Sequence, residues 1–264
     1  MKKVQTTREV FLAEGPAWVN PTWRNRFPWL AQGVTGGEGR ETSRNFALAT
    51  LGGPAIREFS PVLSVPAPWR ELLESLGLNR LVLSRQVHGG EVMVRASVPR
   101  GVHGEGEGDG HVTADAGLLL GITVADCVPV FLVDPEIRAV ALLHAGWRGI
   151  AAGILEEGLA VLARRFGSSA SRIHLHLGPS ICGACYEVGP EVHRALGLPV
   201  PPAPEPVDLR RILAARARRA GISHEKVSRS AWCTLCGDSP FFSHRAGDSE
   251  RQLAFLGIRD GKRG

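Results

Sequence analysis

The sequence predicts a mixed α/β fold of the α+β type, formed as a single domain over residues 1–264. Short runs rich in Val, Ile and Leu alternate with segments of helical periodicity along the chain. The hydrophobic fraction of 44% and the charged fraction of 22% are typical of a globular protein. A chain of this length buries a sizeable core without disulfides or structural metals. No internal repeat is visible.

Each predicted element depends on its own local pattern. Apolar, β-branched runs predict strands over residues 80–87, 91–96, 117–124, 129–134, 138–144 and 172–178. Helical spacing predicts helices over residues 67–77, 149–166 and 208–220. Gly167 suits the C-terminal cap of the second helix, and Asp208 suits the N-terminal cap of the third.

Two segments interrupt this alternation and are predicted to be loops. Residues 102–111 are Gly-rich and acidic, which is typical of a mobile loop. Residues 198–206 hold five prolines and predict an extended loop on the surface.

The charge favours an anionic partner, though not nucleic acid. The net charge is +5, and only four of the 31 Lys and Arg residues are lysine. The densest arginine cluster spans residues 209–221, where Leu209, Ile212 and Leu213 form an apolar stripe. We therefore expect most of these arginines to lie on a solvated helix face, and no nucleic-acid-binding motif accompanies them.

The lack of membrane and secretion signals favours a cytoplasmic location, which bears on the role of the cysteines. No run of about 18 apolar residues predicts a membrane span, and residues 1–15 lack the apolar region of a secretory signal. We expect a cytoplasmic protein that does not bind membranes. The five cysteines are an odd number, which in that compartment favours thiol chemistry or metal ligation over disulfides.

Three apolar runs each lead into a residue that binds metals well: His88, Cys127 and His144. Two imidazoles and a thiolate suit Zn²⁺, and three protein ligands leave the fourth tetrahedral position open. Their spacing matches no local zinc signature. The residues alone therefore leave open structural histidines, or a nucleophilic Cys127 with one of the histidines as its base.

Five sequence motifs occur along the chain in a characteristic order. They are QVHG (86–89), ADCVPVFLVDP (125–135), HAGWRG (144–149), GPSICGACYEVGPEV (178–192) and CTLCGDSPFFSHR (233–245). Together they resemble the YfiH family, whose members have been described as laccase-type polyphenol oxidoreductases. These proteins are now understood as zinc-dependent purine nucleoside phosphorylases with additional adenosine deaminase activity.

The resemblance implies a four-layer α/β/β/α sandwich of mixed sheets, a monomer, and purine nucleosides and phosphate as substrates. It implies one catalytic Zn²⁺ on His88, Cys127 and His144. The segment GDGHVT (108–113) is similar to an acidic family motif, which implies that Asp109 lies near the site.

Further site residues follow from the chemistry of phosphorolysis, which needs a bound phosphate and a stabilised purine leaving group. Arg148 and then Arg245 are the expected phosphate ligands, because a guanidinium binds phosphate through two parallel hydrogen bonds. Trp147 suits either base stacking or core packing. Asp126 and Gln86 are expected to support the metal ligands, on the assumption that side chains alternate along a strand.

Other interpretations remain open. Copper suits two histidines and a cysteine, but nine histidines with one H-x-H pair, His174 and His176, are few for a four-copper oxidase. The second alternative is a cysteine hydrolase using Cys127.

Four cysteines form two C-x-x-C pairs, Cys182/Cys185 and Cys233/Cys236. They could be packed thiols, a disulfide or a Cys₄ zinc site. We expect packed thiols, because the resemblance implies no metal role for them.

Overall fold

The computed structural model describes residues 4–13, 17–37, 44–47 and 65–260, which form sixteen strands and six α-helices. The strands are β1 (Gln5–Thr7), β2 (Val10–Leu12), β3 (Ala17–Val19), β4 (Leu30–Thr35), β5 (Arg80–Arg85), β6 (Val92–Val94), β7 (Gly101–Glu107), β8 (Gly110–Thr113), β9 (Leu119–Val124), β10 (Val128–Asp134), β11 (Ala139–Ala145), β12 (His174–Leu177), β13 (Glu187–Val188), β14 (Glu205–Pro206), β15 (Val227–Ser230) and β16 (Gln252–Ile258). The helices are α1 (Pro21–Arg26), α2 (Ala67–Leu76), α3 (Trp147–Ala151), α4 (Ile154–Phe166), α5 (Pro190–Ala195) and α6 (Leu209–Arg219).

Two seven-stranded sheets carry the fold. The first has the order β1-β15-β12-β10-β11-β8-β6, and the second has the order β2-β3-β4-β16-β9-β5-β7. Both are mixed: β10 and β11 pair antiparallel whereas β12 and β15 pair parallel, and β9 pairs antiparallel with β16 but parallel with β5. The mixed α/β class is confirmed.

Side-chain alternation along β10 explains how the layers stack. Val130 and Leu132 pack under helices α4 and α6, whereas Phe131 and Val133 point to the second sheet and pack between the sheets. The outer face of the second sheet is covered by α2, whose Trp69 is fully buried. The order is helices, sheet, sheet, helix, so the four-layer arrangement is confirmed.

The prediction of a mobile loop at residues 102–111 is wrong, because most of this segment forms β7 and β8. Strand β7 pairs with β5, and β8 lies between β11 and β6. Two glycines there lie in close contact with neighbouring side chains. A Cβ on Gly108 would lie 2.7 Å from Met93 Cε, and a Cβ on Gly110 would lie 2.7 Å from Leu143 Cδ2.

The single helix predicted over residues 149–166 is also wrong in its bounds. The chain forms two helices, α3 and α4, and Gly153 between them adopts the left-handed conformation with φ of 83°. Helix α3 begins at Trp147, so Trp147 and Arg148 lie in a helix that starts directly after β11. The caps at Gly167 and Asp208 are confirmed: Gly167 is left-handed, and the Asp208 carboxylate accepts from Arg211 N.

The arginine cluster on α6 is less solvated than expected. Arg211 and Arg219 are exposed, but Arg210 is buried and donates from Nη1 to the carbonyls of Ser230 and Trp232. Residues 198–204 have no regular secondary structure, and β14 follows them. Among the described residues, no helix combines the length and apolarity needed to cross a bilayer.

Candidate active site

His88, Cys127 and His144 meet at one edge of the sandwich. His88 follows β5, and Cys127 lies in the short connection from β9 in the second sheet to β10 in the first. His144 is near the end of β11, on the face shared with Val140 and Leu142, which points to the second sheet. The ligand atoms of the three residues all lie within 4.8 Å of one another.

The turn that carries His88 is held by a buried carboxylate. His88 has a left-handed backbone with φ of 59°, which is unfavourable for a residue with a Cβ. Asp109 accepts hydrogen bonds from the backbone N–H groups of Val87 (3.1 Å), His88 (2.9 Å) and Gly89 (2.7 Å). These three bonds offset the cost of the turn and fix the position of the imidazole.

The same carboxylate also orients His144. Asp109 Oδ1 lies 2.8 Å from His144 Nδ1, and the backbone N–H of His144 donates to the Asp109 carbonyl at 2.6 Å. With Nδ1 held by Asp109, Nε2 is left to face Cys127. Asp109 is fully buried, and burial by itself would raise its pKa. The hydrogen bond with His144 and those from Gly89 and Val87 outweigh burial and lower the pKa.

Cys127 and His144 form a strongly polar pair. Burial opposes ionisation of the Cys127 thiol, but the charge and hydrogen bond of His144, together with His88, lower its pKa to about 6. Burial likewise opposes protonation of His144, but Cys127 and Asp109 raise its pKa to about 9. At neutral pH these shifts give a Cys127 thiolate beside a protonated His144, so a cation bound between them would have to displace the His144 proton.

These residues open into a cleft of about 720 Å³. Its lining includes every predicted site residue except Asp109, which lies behind His144: Gln86, His88, Asp126, Cys127, His144, Trp147, Arg148 and Arg245. The volume is in the range of small-molecule sites.

Gln86 and Asp126 contact other parts of the cleft wall rather than the three ligand atoms. Gln86 Oε1 accepts from Thr123 N and Oγ1, and its Nε2 donates to the Thr123 carbonyl. Asp126 accepts from Thr234 Oγ1 (2.5 Å) and Arg245 N (2.8 Å). It precedes β10 and has φ of 81°, so the alternation of strand side chains assumed for it does not apply.

The two predicted anion-binding arginines differ in their surroundings. The Arg148 guanidinium lies 4.2 Å from the centre of the Trp147 ring and is exposed, and no carboxylate in the described part of the chain pairs with it. Arg245 donates from both terminal nitrogens to the Glu187 carbonyl, at 3.0 Å each, and lies 5.3 Å from the Tyr186 ring. Arg148 is thus the freer cation.

Sequence reasoning did not single out Tyr186 and His244, which also line the cleft. Burial, followed by the charge of Cys127, raises the pKa of Tyr186 to about 12. His244 is exposed and directly precedes Arg245. Tyr186 is the only tyrosine in the chain and lies inside a quoted motif, which is the signal that could have found it.

Fold and site together define a class of protein: a four-layer sandwich with a His₂Cys group in a cleft that Arg148 and Arg245 also line. A family model described as multi-copper polyphenol oxidoreductase laccase matches residues 63–259. The chain is 31% identical to purine nucleoside phosphorylase YlmD of Geobacillus stearothermophilus, over 96% of this chain and 98% of that protein. The chain therefore belongs to the YfiH family, as its motifs predicted.

Two further comparisons support this family. Adenosine deaminase RL5, from an unknown prokaryotic organism, is 35% identical over 69% of this chain and 75% of that protein. The crystal structure of Bacillus licheniformis hypothetical protein YfiH superposes with a TM-score of 0.79 at 25% identity, covering 94% of this chain and 99% of that chain.

Proposed function

We propose that this chain is a zinc-dependent purine nucleoside phosphorylase. It would convert adenosine or inosine and phosphate to the free base and ribose 1-phosphate, with adenosine deamination as a side activity. The observation that carries the proposal is the His88–Cys127–His144 group, which opens into the same cleft as Arg148, a cation that no carboxylate among the described residues pairs with. The name of the phosphorylase relative supports the first reaction, and the name of the deaminase relative supports the second.

The donor set fits Zn²⁺. Two imidazole nitrogens and one thiolate within 4.8 Å of one another suit tetrahedral coordination with one open position. Asp109 fixes the His144 tautomer in the way that carboxylates orient metal-binding histidines. When bound, Zn²⁺ supplies a Lewis acid at neutral pH.

The protein's own groups account for binding and orientation. In phosphorolysis a phosphate oxygen bonds to C1′ of the ribose, the bond from C1′ to the purine nitrogen breaks, and the base leaves with a proton. Arg148 suits phosphate binding, because its guanidinium is exposed, lines the cleft and pairs with no carboxylate of the described residues. Trp147 lies under Arg148, so we assign it the role of positioning this guanidinium. Arg245, which donates to the Glu187 carbonyl, also lines the cleft.

The remaining polar groups hold the frame of the site. Gln86 fixes the end of β9 through Thr123, and Asp126 joins the Cys127 connection to the segment of Arg245. Deamination would exchange the C6 amino group of adenosine for an oxygen from water, releasing ammonia. His244 is exposed at the cleft and is the group we assign to proton transfer in that reaction.

The test is a product assay on zinc-replete protein with adenosine, inosine and guanosine, each with and without phosphate. We expect free base and ribose 1-phosphate only when phosphate is present, and loss of both in Cys127→Ala. Arg211→Ala, a change of an exposed arginine on α6, is the control for Arg148→Ala. Absence of free base from every nucleoside would refute the proposal.

A cysteine hydrolase is the second candidate, because Cys127, His144 and Asp109 are connected in the order of a nucleophile, its base and the group that orients the base. Zinc content separates the two functions. Ligation predicts that Cys127→Ala loses one zinc per chain and that bound zinc protects Cys127 from alkylation. A hydrolase predicts no change in zinc and rapid alkylation of Cys127.

Copper oxidation has less support. Among the described residues, His88 and His144 are the histidines that belong to a possible metal-binding group. His176 is bonded instead to Ser228 and Glu9. A four-copper enzyme requires further histidine clusters, and a copper-loaded protein without a strong thiolate-to-copper absorption band would argue against a blue-copper centre.

A further inference from the structure

A second group of metal-binding side chains lies outside the cleft. Strands β12 and β15 are parallel neighbours, so both end at the same edge of the first sheet. The loops that follow them carry Cys182 and Cys185, and Cys233 and Cys236. The four Sγ atoms all lie within 4.8 Å of one another, although the pairs are far apart in sequence.

We propose that Cys182, Cys185, Cys233 and Cys236 bind a second Zn²⁺ ion that has a structural role. The four thiolates fill all tetrahedral positions, which distinguishes a structural zinc from a catalytic one. None of the four cysteines lines the cleft of about 720 Å³.

The separations fit a single metal ion. Zn–S bonds of about 2.3 Å place the sulfurs of a tetrahedral site about 3.8 Å apart. Cys182 Sγ and Cys236 Sγ are 3.9 Å apart, and no pair exceeds 4.8 Å. An iron–sulfur cluster contains several metal atoms and inorganic sulfides, and it needs its cysteine ligands to lie farther apart.

Backbone amides are already arranged around one of the sulfurs. Cys233 Sγ accepts from the N–H groups of Cys182 (3.2 Å), Leu235 (3.4 Å) and Cys236 (3.5 Å). Amide donors stabilise the charged thiolate, which is the form that binds metal. One of these bonds joins the two loops, so the arrangement spans both C-x-x-C pairs.

A buried cation next to the group supports the same conclusion. A zinc ion with four thiolates carries a net charge of −2. Arg210 is buried and donates to the carbonyls of Ser230 and Trp232, the second of which directly precedes Cys233, and its Nε has no hydrogen-bond partner in the described part of the chain. A buried guanidinium with neutral carbonyl partners is costly unless negative charge lies nearby. The charge of Asp208 acts on Arg210, and a tetrathiolate centre would add to it.

The site would stabilise the cleft wall from behind. Thr234, between Cys233 and Cys236, donates to Asp126. Tyr186 follows Cys185 directly, and Glu187 holds Arg245. A metal that joins the two loops therefore fixes three residues of the cleft wall without contacting substrate, and it does so whatever reaction the cleft performs.

The experiment measures metal in intact protein purified under reducing conditions. We expect about two zinc ions per wild-type chain, about one in Cys127→Ala and about one in a Cys185→Ser, Cys236→Ser double variant. Cys127→Ala is the matched control, because it removes a thiol from the other site. The double variant should also melt several degrees below Cys127→Ala, since a structural metal stabilises the folded state.

A second measurement does not depend on the folding of the double variant. Cys127→Ala stripped of zinc and reconstituted with Co²⁺ should show the intense charge-transfer and visible bands of tetrahedral cobalt with four thiolates. Colourless protein with four free thiols would overturn the proposal, as would a disulfide among these cysteines or iron in place of zinc. If wild-type protein shows no phosphorylase activity while Cys127→Ala retains one zinc, the catalytic proposal fails and this one stands.

Discussion

Replacing Asp109 with Asn tests how the metal ligands are held. Each carboxylate oxygen accepts two hydrogen bonds: Oδ1 from His88 N and His144 Nδ1, and Oδ2 from Val87 N and Gly89 N. Asn keeps one acceptor oxygen and turns an NH₂ group towards two donors. Either the imidazole of His144 or the turn of His88 loses its support, so one metal ligand is released in either orientation.

The magnitude follows from these bonds. A hydrogen bond to a charged group contributes about 1.5–3 kcal/mol, so losing two should lower the free energy of unfolding by about 3 kcal/mol or more. Loss of a group that orients a metal ligand weakens metal binding about 10–100-fold. We therefore expect Asp109→Asn to raise the zinc dissociation constant of the His88–Cys127–His144 site about 10–100-fold. Cys127→Ala, which abolishes this site, identifies the zinc ion concerned.

The assay is a competition titration with a chromophoric zinc chelator at neutral pH, combined with urea unfolding. Asp115→Asn is the control, because Asp115 is half-buried and accepts a backbone hydrogen bond from Ser97 away from the metal ligands. Equal zinc affinity in Asp109→Asn and wild type would refute the role assigned to Asp109.

Three further predictions concern the site and the core. Gly146→Ala should weaken zinc binding about tenfold in the same titration, the size of effect expected when the surroundings of a metal ligand are disturbed. The added Cβ would lie 3.0 Å from Cys127 Sγ and 3.3 Å from a His88 ring carbon. Unchanged zinc affinity would contradict this prediction. Arg148→Ala should raise the KM for phosphate about 10–100-fold, the loss expected for a charged hydrogen bond, and Arg148→Lys should recover part of this loss. A rise in the KM for the nucleoside with no change in the KM for phosphate would count against phosphate binding by Arg148. Burial, and then the charge of Arg95, lowers the pKa of His111 from 6.5 to about 3. Between these two pH values His111 is protonated in the unfolded chain but neutral in the folded chain, so the free energy of unfolding falls as the pH drops from 6.5 towards 3. At pH 5 this costs about 2 kcal/mol, and His111→Gln should lose that much less stability than wild type between pH 7 and pH 5 in urea unfolding; parallel losses would refute the assignment.

The local patterns of the sequence were sufficient for much of the fold. The six apolar runs correspond to β5, β6, β9, β10, β11 and β12, and the caps at Gly167 and Asp208 are as predicted. Hydrophobic period and capping are properties of a few neighbouring residues, so they can be recognised without knowing the fold. The motifs likewise identified the family.

Errors arose where packing between distant segments decides the structure. The glycines of residues 102–111 resemble those of a mobile loop, but Gly108 and Gly110 leave room for Met93 and Leu143 within a paired sheet. No local pattern distinguishes a glycine needed for close approach from one in a flexible segment.

The sequence by itself determined which residues offer metal ligands, because imidazole and thiolate chemistry belongs to the residue type. Only the tertiary structure decided which of them meet and what supports them. The connection between the sheets places Cys127 beside His88 and His144. The fold also places the buried Asp109 carboxylate where it accepts hydrogen bonds from His88 and His144. The parallel pairing of β12 with β15 joins two C-x-x-C pairs that the sequence left as packed thiols. Strand order is set by the packing of the whole chain, and the positions of these groups depend on that order.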